Sequence, residues 1–394
     1  MIFLADAHVV LPDSVLSPGT VVIDGDRIID VLASAPDSAG DHVRFDLRRH
    51  TIVPGFIDVH VHGVEGTDAL DGVGAIETIA ARLPRYGVTA FCPTTVACGP
   101  ADLKQMLADV RNARVSPRPG AARVLPAHLE SNFISPEYRG AQPLECLRLP
   151  ATRGERADGA FTGDEILREI EAARPDVGIV TVAPELDGAI DLIRDLTRHG
   201  HHISLGHSGA SYEQAMEGIA AGARQATHLF NRMTPLGHKV PGLAAAVLEH
   251  EDVAVEIVPD GVHVHPSMVR IALAAKSPSR VMAITDGTGG SGLPRGARAV
   301  LGGRTITIRD AAYLDDGTLA GSVLTMDRAF AMLVSVMGLG LADAATVCAT
   351  TPARALGLRG LGVIAPGATA DVAVLAPDFT VHQTWLSGTL VFER

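Results

Sequence analysis

Three features that mark large classes of protein are missing from this sequence: a cysteine framework, an excess of positive charge and a long apolar run. The four cysteines show no CxxC spacing, which indicates reduced thiols in a cytosolic protein. A formal net charge of -12 argues against a nucleic-acid-binding surface but leaves an anionic small-molecule substrate open. No apolar run approaches the roughly 18 residues of a membrane helix. The N-terminus reaches Asp6 without a basic region, so we expect no secretory signal.

Both ends of the chain carry short strand patterns. Residues 21–31 form two apolar runs around a Gly25-Asp26 turn, which predicts a hairpin. Residues 371–375 and 381–392 repeat the pattern around a turn at Pro377-Asp378. We therefore expect one small β-sandwich domain, built from residues 1–53 together with residues 355–394.

The middle of the chain alternates strand patterns with amphipathic helix patterns. Residues 101–110 carry apolar side chains at helical spacing, and a capping-box pattern from Thr162 to Glu165 marks the start of another helix. Eight strand–helix units favour a (β/α)8 TIM barrel over residues 54–354, with an inserted hairpin over residues 299–317. The predicted barrel strands are residues 56–62, 88–95, 123–130, 179–185, 202–207, 226–231, 253–260 and 281–286.

The segment from Pro54 to Gly63 is the most informative part of the sequence. It places His60 and His62 two residues apart at the end of an apolar, β-branched run. In a strand such residues point to the same face, so both imidazoles could bind one metal ion. An isolated pair of this kind is weak evidence, and the interpretation depends on further ligands elsewhere.

The ends of the later predicted strands supply those ligands. Active sites of (β/α)8 barrels form at the C-terminal ends of the strands. Four imidazoles and two carboxylates exceed what one structural site needs, and they favour a catalytic site with an open position or two adjacent ions. A metal lowers the pKa of water toward neutrality, and Asp286 is the best candidate to accept that water's proton and deliver it to a leaving group. We therefore predict hydrolysis of an amide, ester or related bond. The candidates are His60, His62, Glu130, His207, His228 and Asp286.

A series of motifs in fixed order makes the sequence recognisable. They are PGFIDVHVHG at 54–63, HLE at 128–130, FISPEYRGAQP at 133–143, LGHSGASYEQ at 205–214, ATHLFNRM at 226–233, DGVHVHP at 260–266, ITDG at 284–287 and LAGSVLTM at 319–326. Over nearly its whole length the chain resembles the N-acetylglucosamine-6-phosphate deacetylase family of the amidohydrolase superfamily. The resemblance implies hydrolysis of N-acetylglucosamine 6-phosphate to glucosamine 6-phosphate and acetate by a cytoplasmic homodimer. It also implies one or two divalent metal ions per subunit, zinc first and iron, manganese or cobalt as alternatives.

The resemblance assigns roles to individual residues. Asp286 would activate the water and protonate the amine, and His263 would contact the sugar or polarise the acetyl carbonyl. Gln142 and Asn231 would lie against the sugar. The implied ligands are Glu130, His207 and His228 for the principal metal, with His60 and His62 for a second one.

Several residues depart from the family pattern near the expected substrate. Ser131-Asn132 replaces Gly-Pro, Arg232 and Gly287 each replace Ala, and Lys239 stands where the family has a phosphate-binding Arg. Lysine keeps the charge but lacks the bidentate fork, and Arg232 could restore it. Phosphate recognition is therefore either retained, with Arg232 and Lys239 as candidate substrate-binding residues, or replaced by another N-acyl substrate such as a different amino sugar or a D-amino-acid derivative. A non-catalytic barrel scaffold is a further alternative, which the complete set of candidate ligands disfavours.

Overall fold

A barrel of parallel strands forms the centre of the computed structural model, which describes residues 1–34, 42–156 and 160–394. Each barrel strand pairs in parallel with the next one along the chain, and the third is split into two short segments. A parallel bridge from Val61 to Gly287 and a 2.9 Å hydrogen bond from the Asp286 N–H to the His60 carbonyl join the last strand to the first. The predicted barrel is thus confirmed. Its strands are Phe56–Val61, Val88–Thr95, Arg123–Val124, Ala127–Leu129, Val177–Val182, His202–Leu205, Gln225–Ala226, Ala254–Ile257 and Val281–Ala283.

The barrel strands are buried on both faces, which explains their continuous apolar sequence. All eight residues of Val88–Thr95 are buried, as expected for a parallel strand covered by helices on one side and by the barrel interior on the other. The capping box predicted at Thr162 is present: its Oγ1 accepts the Glu165 N–H at 3.1 Å and the Glu165 carboxylate accepts the Thr162 N–H at 2.6 Å. The α-helices are Ala75–Arg82, Pro100–Val115, Gly163–Ala172, Ala189–Arg198, Tyr212–Ala221, Gly242–Glu249, Pro266–Lys276, Met326–Ser335, Leu341–Ala345 and Thr351–Ala355. Shorter helical turns are Leu83–Tyr86, Leu144–Cys146, Pro278–Arg280 and Thr346–Thr350.

Both chain ends meet in a separate sheet domain, as predicted. Its strands hydrogen-bond into one eight-stranded sheet, in which Val372–Leu375 from the C-terminal end pairs with Thr51–Pro54 from the N-terminal end. Along Val372–Leu375 the side chains alternate: the first and third belong to the core of this domain, and the second and fourth pack into the barrel core. The period of two therefore lets one strand serve both cores. The strands are Ile2–Val10, Val15–Asp24, Arg27–Leu32, Val43–Asp46, Thr51–Pro54, Val372–Leu375, Val381–Leu386 and Thr389–Glu393.

The insertion after the last barrel strand differs from the predicted hairpin. Residues 299–317 were expected to form two strands, but the structure has an antiparallel sheet of three: Arg298–Leu301, Arg304–Ile308 and Ala312–Leu314. The third strand is short because only three residues pair before the chain turns at Asp315-Asp316, so its sequence signal is weak. Leu301 and Val96 share a small apolar core, which fixes the insertion against the C-terminal end of the barrel. A two-stranded ribbon, Gly63–Val64 and Thr67–Asp68, also lies at this end.

All four cysteines are free thiols. Within the described ranges no helix is both long enough and apolar enough to cross a membrane.

Candidate active site

Three of the predicted ligands follow the ends of barrel strands in an unusual backbone conformation. The φ angles of His207, His228 and Asp286 are 47°, 28° and 47°, in the left-handed region that non-glycine residues rarely adopt. Such strain persists only where the surrounding structure imposes it, and it is concentrated at functional sites. All three side chains line the same cavity at the C-terminal end of the barrel.

Glu130, His207 and His228 form a buried cluster that we call the first ligand group. Glu130 Oε1 lies 2.7 Å from His207 Nε2 and 2.8 Å from His228 Nε2, and the two nitrogens are 3.0 Å apart. The other carboxylate oxygen accepts a hydrogen bond from the Gln142 amide, whose own oxygen accepts the Ala97 N–H at 2.7 Å. The structure thus brings the three implied principal ligands together.

The hydrogen bonds around the first ligand group fit a divalent metal. His207 Nδ1 lies 2.9 Å from the Tyr138 carbonyl oxygen, which can only accept, so Nδ1 carries the proton. In the neutral ring the Nε2 lone pair then points at the Glu130 carboxylate and at His228 Nε2. Lone pairs that converge at this spacing repel each other unless a cation lies between them. Two imidazoles and a carboxylate are a donor set that zinc and related metals accept.

His60, His62 and Asp286 form a second ligand group beside the first. The two Nε2 atoms are 3.3 Å apart, and Asp286 Oδ1 lies 3.4 Å from the first and 3.3 Å from the second. His62 Nε2 is also 3.6 Å from Glu130 Oε2, so the two groups adjoin. The HxH pair therefore shares one face, and its side chains converge with a carboxylate from the last barrel strand.

The electrostatics of the two groups favour ionised carboxylates. Burial opposes ionisation of Asp286, but the hydrogen bond from His62 and the positive potential of both HxH rings hold its pKa below the ordinary value. Burial acts in the same direction on Glu130, and His207 and His228 outweigh it, so the pKa of Glu130 lies well below its usual range. Asp286 is therefore a carboxylate at neutral pH and can accept a proton.

Glu256 is a buried carboxylate beside the second ligand group that the motif analysis did not identify. It is fully buried, and its Oε2 lies 2.9 Å from His60 Nδ1. Burial lowers the pKa of His60, but Glu256 together with the carboxylates of the two ligand groups outweighs this and raises it to about 10. A glutamate in the otherwise apolar strand Ala254–Ile257 was the available signal, because a buried carboxylate requires specific partners.

His128 lies next to Glu256 and His60 but has a structural role. Its Nδ1 is 3.0 Å from the Val59 carbonyl oxygen and its Nε2 is 2.9 Å from Thr181 Oγ1, so both ring nitrogens already have partners. Burial lowers the pKa of His128 to about 4, which keeps the ring neutral. His60, His128 and Glu256 are close enough to hold an ion by spacing alone. Glu256 contacts His60 Nδ1, and both ring nitrogens of His128 have hydrogen-bond partners, so these two residues support His60 and the second ligand group instead.

His263 reaches the cavity from the loop after the strand Ala254–Ile257. Its Nδ1 is 2.6 Å from Asp260 Oδ2, and the other oxygen of Asp260 accepts the His263 N–H at 2.8 Å. The opposite ring nitrogen, Nε2, lies 4.0 Å from Asp286 Oδ2. Asp260 thus fixes the ring so that Nε2 faces the space beside Asp286.

The cavity collects most of the predicted substrate-binding residues. Gln142, Asn231, Arg232 and His263 all line it, whereas Lys239 is exposed and is not among its lining residues. Apolar side chains complete the wall; they are Val96, Ala141, Leu301, Leu319 and Ala320. The cavity therefore combines the candidate metal ligands, the Asp286 carboxylate and the Arg232 guanidinium. Within the described residues that guanidinium has no ion-pair partner.

Three of the residues that depart from the family pattern have structural explanations. Ser131 Oγ donates to the Thr181 carbonyl oxygen at 2.5 Å, and Asn132 Nδ2 donates to the carbonyl oxygens of Cys98 and Cys146. Both side chains are buried and neither lines the cavity, so they fasten loops rather than contact substrate. Gly287 lies in a turn where neighbouring side chains crowd the position of a Cβ atom.

The turn at Gly287 leaves no room for the alanine that the family has. A Cβ at this position would lie 2.7 Å from Ser291 Oγ and 2.8 Å from Thr285 Oγ1. The Gly287 carbonyl oxygen also accepts the His62 N–H at 2.7 Å, so this turn positions one of the ligands. The change to glycine therefore matches the local packing of this chain.

Comparison with known proteins agrees with this geometry. The sequence profile described as the amidohydrolase family matches residues 51–391. An N-acetylglucosamine-6-phosphate deacetylase from Vibrio furnissii is 34% identical over 345 residues, which cover 87% of this chain and 83% of the relative. An N-acetylgalactosamine-6-phosphate deacetylase from Escherichia coli O157:H7 is 31% identical over 341 residues, covering 86% of this chain and 87% of the relative.

A solved structure extends the similarity to the whole fold. A substituted N-acetyl-D-glucosamine-6-phosphate deacetylase from Mycobacterium smegmatis, in complex with N-acetyl-D-glucosamine 6-phosphate, is 32% identical, with a TM-score of 0.87 over 99% of each chain. The resemblance drawn from the ordered motifs is thus confirmed. The chain belongs to the amidohydrolase family.

Proposed function

We propose that this protein is a metal-dependent deacetylase of N-acetylglucosamine 6-phosphate, releasing glucosamine 6-phosphate and acetate. The observation that carries the proposal is that the first ligand group, Asp286 and the Arg232 guanidinium meet in one cavity; among the described residues Arg232 has no ion-pair partner. Relatives that are 34% and 31% identical to this chain over most of their length are named as deacetylases of amino-sugar 6-phosphates.

In this reaction Asp286 serves first as the general base and then as the general acid. A divalent metal held by Glu130, His207 and His228 would activate water and polarise the acetyl carbonyl. Asp286, ionised at neutral pH, accepts a proton from the attacking water. It then transfers that proton to the amine as the carbon–nitrogen bond breaks, which returns the carboxylate to its starting state.

The remaining cavity residues hold the substrate in place. His263, with Nδ1 fixed by Asp260, presents Nε2 to the acetyl oxygen or to the sugar. Gln142 has one amide proton engaged by Glu130 and a second available to a sugar hydroxyl. Asn231 donates to the His228 carbonyl oxygen at 3.2 Å and lines the same wall.

Arg232 is the proposed phosphate-binding residue within one subunit. Its planar fork suits phosphate oxygens, and no acidic side chain in the described parts of the chain competes for it. Gly140 makes room for it, since a Cβ on that glycine would lie 2.6 Å from Arg232 Nε. Lys239, predicted from the family position, lies outside the cavity of its own subunit, and its contact with phosphate stays a prediction.

Further properties are proposed on the same basis. We propose a cytoplasmic homodimer that takes one or two divalent ions per subunit, with zinc first and iron, manganese or cobalt as alternatives, since imidazole and carboxylate donors accept all four. Four free thiols support the cytoplasmic assignment. We also propose the domain boundaries 1–53 plus 355–394 for the terminal sheet domain and 54–354 for the barrel.

Steady-state acetate release by the zinc-loaded enzyme tests the proposed substrate. The assay compares N-acetylglucosamine 6-phosphate, N-acetylgalactosamine 6-phosphate and free N-acetylglucosamine. We expect the highest kcat/KM for the first and a large loss for the unphosphorylated sugar. Equal rates on both glucosamine derivatives would show that the enzyme does not recognise the phosphate. If none of the three sugars yields acetate, other N-acyl substrates, such as D-amino-acid derivatives, should be tested.

A further inference from the structure

Glu256 is a carboxylate in the fully buried interior of the barrel. It lies on the strand Ala254–Ile257 with no exposed surface, between residues that are all apolar. A carboxylate removed from water in this way is costly unless hydrogen bonds compensate for the lost solvation. Its partners therefore indicate what the residue does.

Every partner of the Glu256 carboxylate is a donor. Oε2 lies 2.9 Å from His60 Nδ1 and accepts the backbone N–H of His228 at 3.3 Å, while Oε1 accepts the side-chain amide of Gln225. A carboxylate surrounded by donors is ionised, and it holds the proton of the His60 ring on Nδ1. The contact to His60 joins residues 196 positions apart in the sequence, so it belongs to the folded barrel alone.

This arrangement sets the direction of the His60 lone pair. With Nδ1 committed to Glu256, Nε2 is the atom that faces His62 Nε2 at 3.3 Å and Asp286 Oδ1 at 3.4 Å. Carboxylates that accept the second N–H of a metal-binding histidine fix its tautomer and orientation and increase its basicity. Loss of the carboxylate would free the ring to carry its proton on Nε2, which cannot bind a metal.

We propose that Glu256 is the positioning residue for His60, and that its carboxylate sets how tightly the second ligand group binds the second divalent ion that the proposed function allows. The inference rests on the proposed metal-dependent function but concerns metal binding rather than substrate. Glu256 has no exposed surface and acts through His60.

The substitution Glu256→Gln tests this role with little change in shape. The glutamine oxygen can still face His60. Gln225 Nε2 donates to Glu256 Oε1 in the unaltered protein, so the Gln225 amide has to turn over for its unpartnered oxygen to accept the new glutamine N–H. What is lost is the negative charge of the carboxylate beside the ring, which holds the ring proton on Nδ1 and increases the basicity of Nε2. The first ligand group should survive, because the Glu256 main-chain carbonyl oxygen still accepts the Leu229 N–H at 2.8 Å.

Zinc is the probe, measured as bound metal per chain after equilibrium dialysis at increasing free concentration. We expect two ions per chain for the unaltered protein. For Glu256→Gln we expect one ion at unchanged affinity and a second weakened about 10–100-fold. The zinc-dependent rise in Tm should shrink, while the Tm of the metal-free protein changes little.

Thr181→Val provides a matched control in the same interior. It removes an equally buried hydrogen-bonding side chain, at 2.9 Å from His128 Nε2, without touching His60. This variant should keep two zinc ions. Two ions at full affinity in Glu256→Gln, or a single ion in the unaltered protein under excess zinc, would overturn the proposal. Acetate release by the unaltered enzyme is scored separately, so a wrong substrate assignment is distinguishable from a wrong metal assignment.

Discussion

Replacing Arg232 by alanine should weaken catalysis on a phosphorylated sugar and spare the unphosphorylated one. Arg232 lines the cavity, and no acidic group in the described chain has to release it before phosphate binds. Its backbone φ is 49°, so the native residue is already in the left-handed region. Alanine and lysine tolerate that angle about as well as arginine does, and backbone strain is therefore nearly constant across the variants.

The size of the effect follows from the exposure of the side chain. A hydrogen bond to a charged group contributes about 1.5–3 kcal/mol when it is well formed. Because Arg232 is exposed at the cavity mouth, screening by solvent places it near the lower end of that range. About 1.4 kcal/mol corresponds to a tenfold change, so Arg232→Ala should lower kcat/KM for N-acetylglucosamine 6-phosphate roughly tenfold, mostly through KM.

The assay is acetate release on N-acetylglucosamine 6-phosphate and on free N-acetylglucosamine, for Arg232→Ala and Arg232→Lys. Lysine keeps the charge but loses the fork, so its loss on the phosphorylated sugar should be intermediate. Free N-acetylglucosamine should react at the unaltered rate with both variants. An equal loss on the two substrates would show that Arg232 shapes the cavity without binding phosphate.

Three further predictions address catalysis, packing and helix stability. Asp286→Asn should lower kcat about 10²–10⁴-fold while the first ligand group still binds zinc; near-normal turnover would refute the acid–base role. Gly287→Ala should destabilise the fold by about 1–3 kcal/mol in denaturant unfolding, and adding Ser291→Ala should recover part of the loss because the 2.7 Å contact disappears; additive effects would contradict the packing argument. Thr162→Ala should lower the free energy of unfolding by about 1 kcal/mol in the same denaturant experiment, and no change would show that the capping box does not stabilise the fold.

The parts that sequence predicted well have local causes. Buried parallel strands need long apolar runs, and eight such runs alternated with helices, so the barrel followed from the pattern alone. The HxH pair could be interpreted because a strand has a fixed period of two. Asp286 and the later ligands were found because they stand directly after those runs.

The parts that sequence missed depend on contacts between distant residues. Glu256 and His60 are 196 positions apart, and only the closed barrel brings them together. The directions of Ser131 and Asn132 could not be inferred either, because backbone carbonyl oxygens of neighbouring loops decide them. The third strand of the insertion, Ala312–Leu314, is too short to produce a periodic signal.

Anomalous diffraction at the zinc edge from zinc-loaded Asp286→Asn, crystallised with N-acetylglucosamine 6-phosphate, tests the central claim most directly. We predict a zinc peak within bonding distance of Glu130, His207 and His228, with the acetyl carbon of the intact sugar beside residue 286 and its phosphate at Arg232. No zinc peak at the first ligand group, or a sugar whose acetyl group lies away from that metal and from residue 286, would contradict the account.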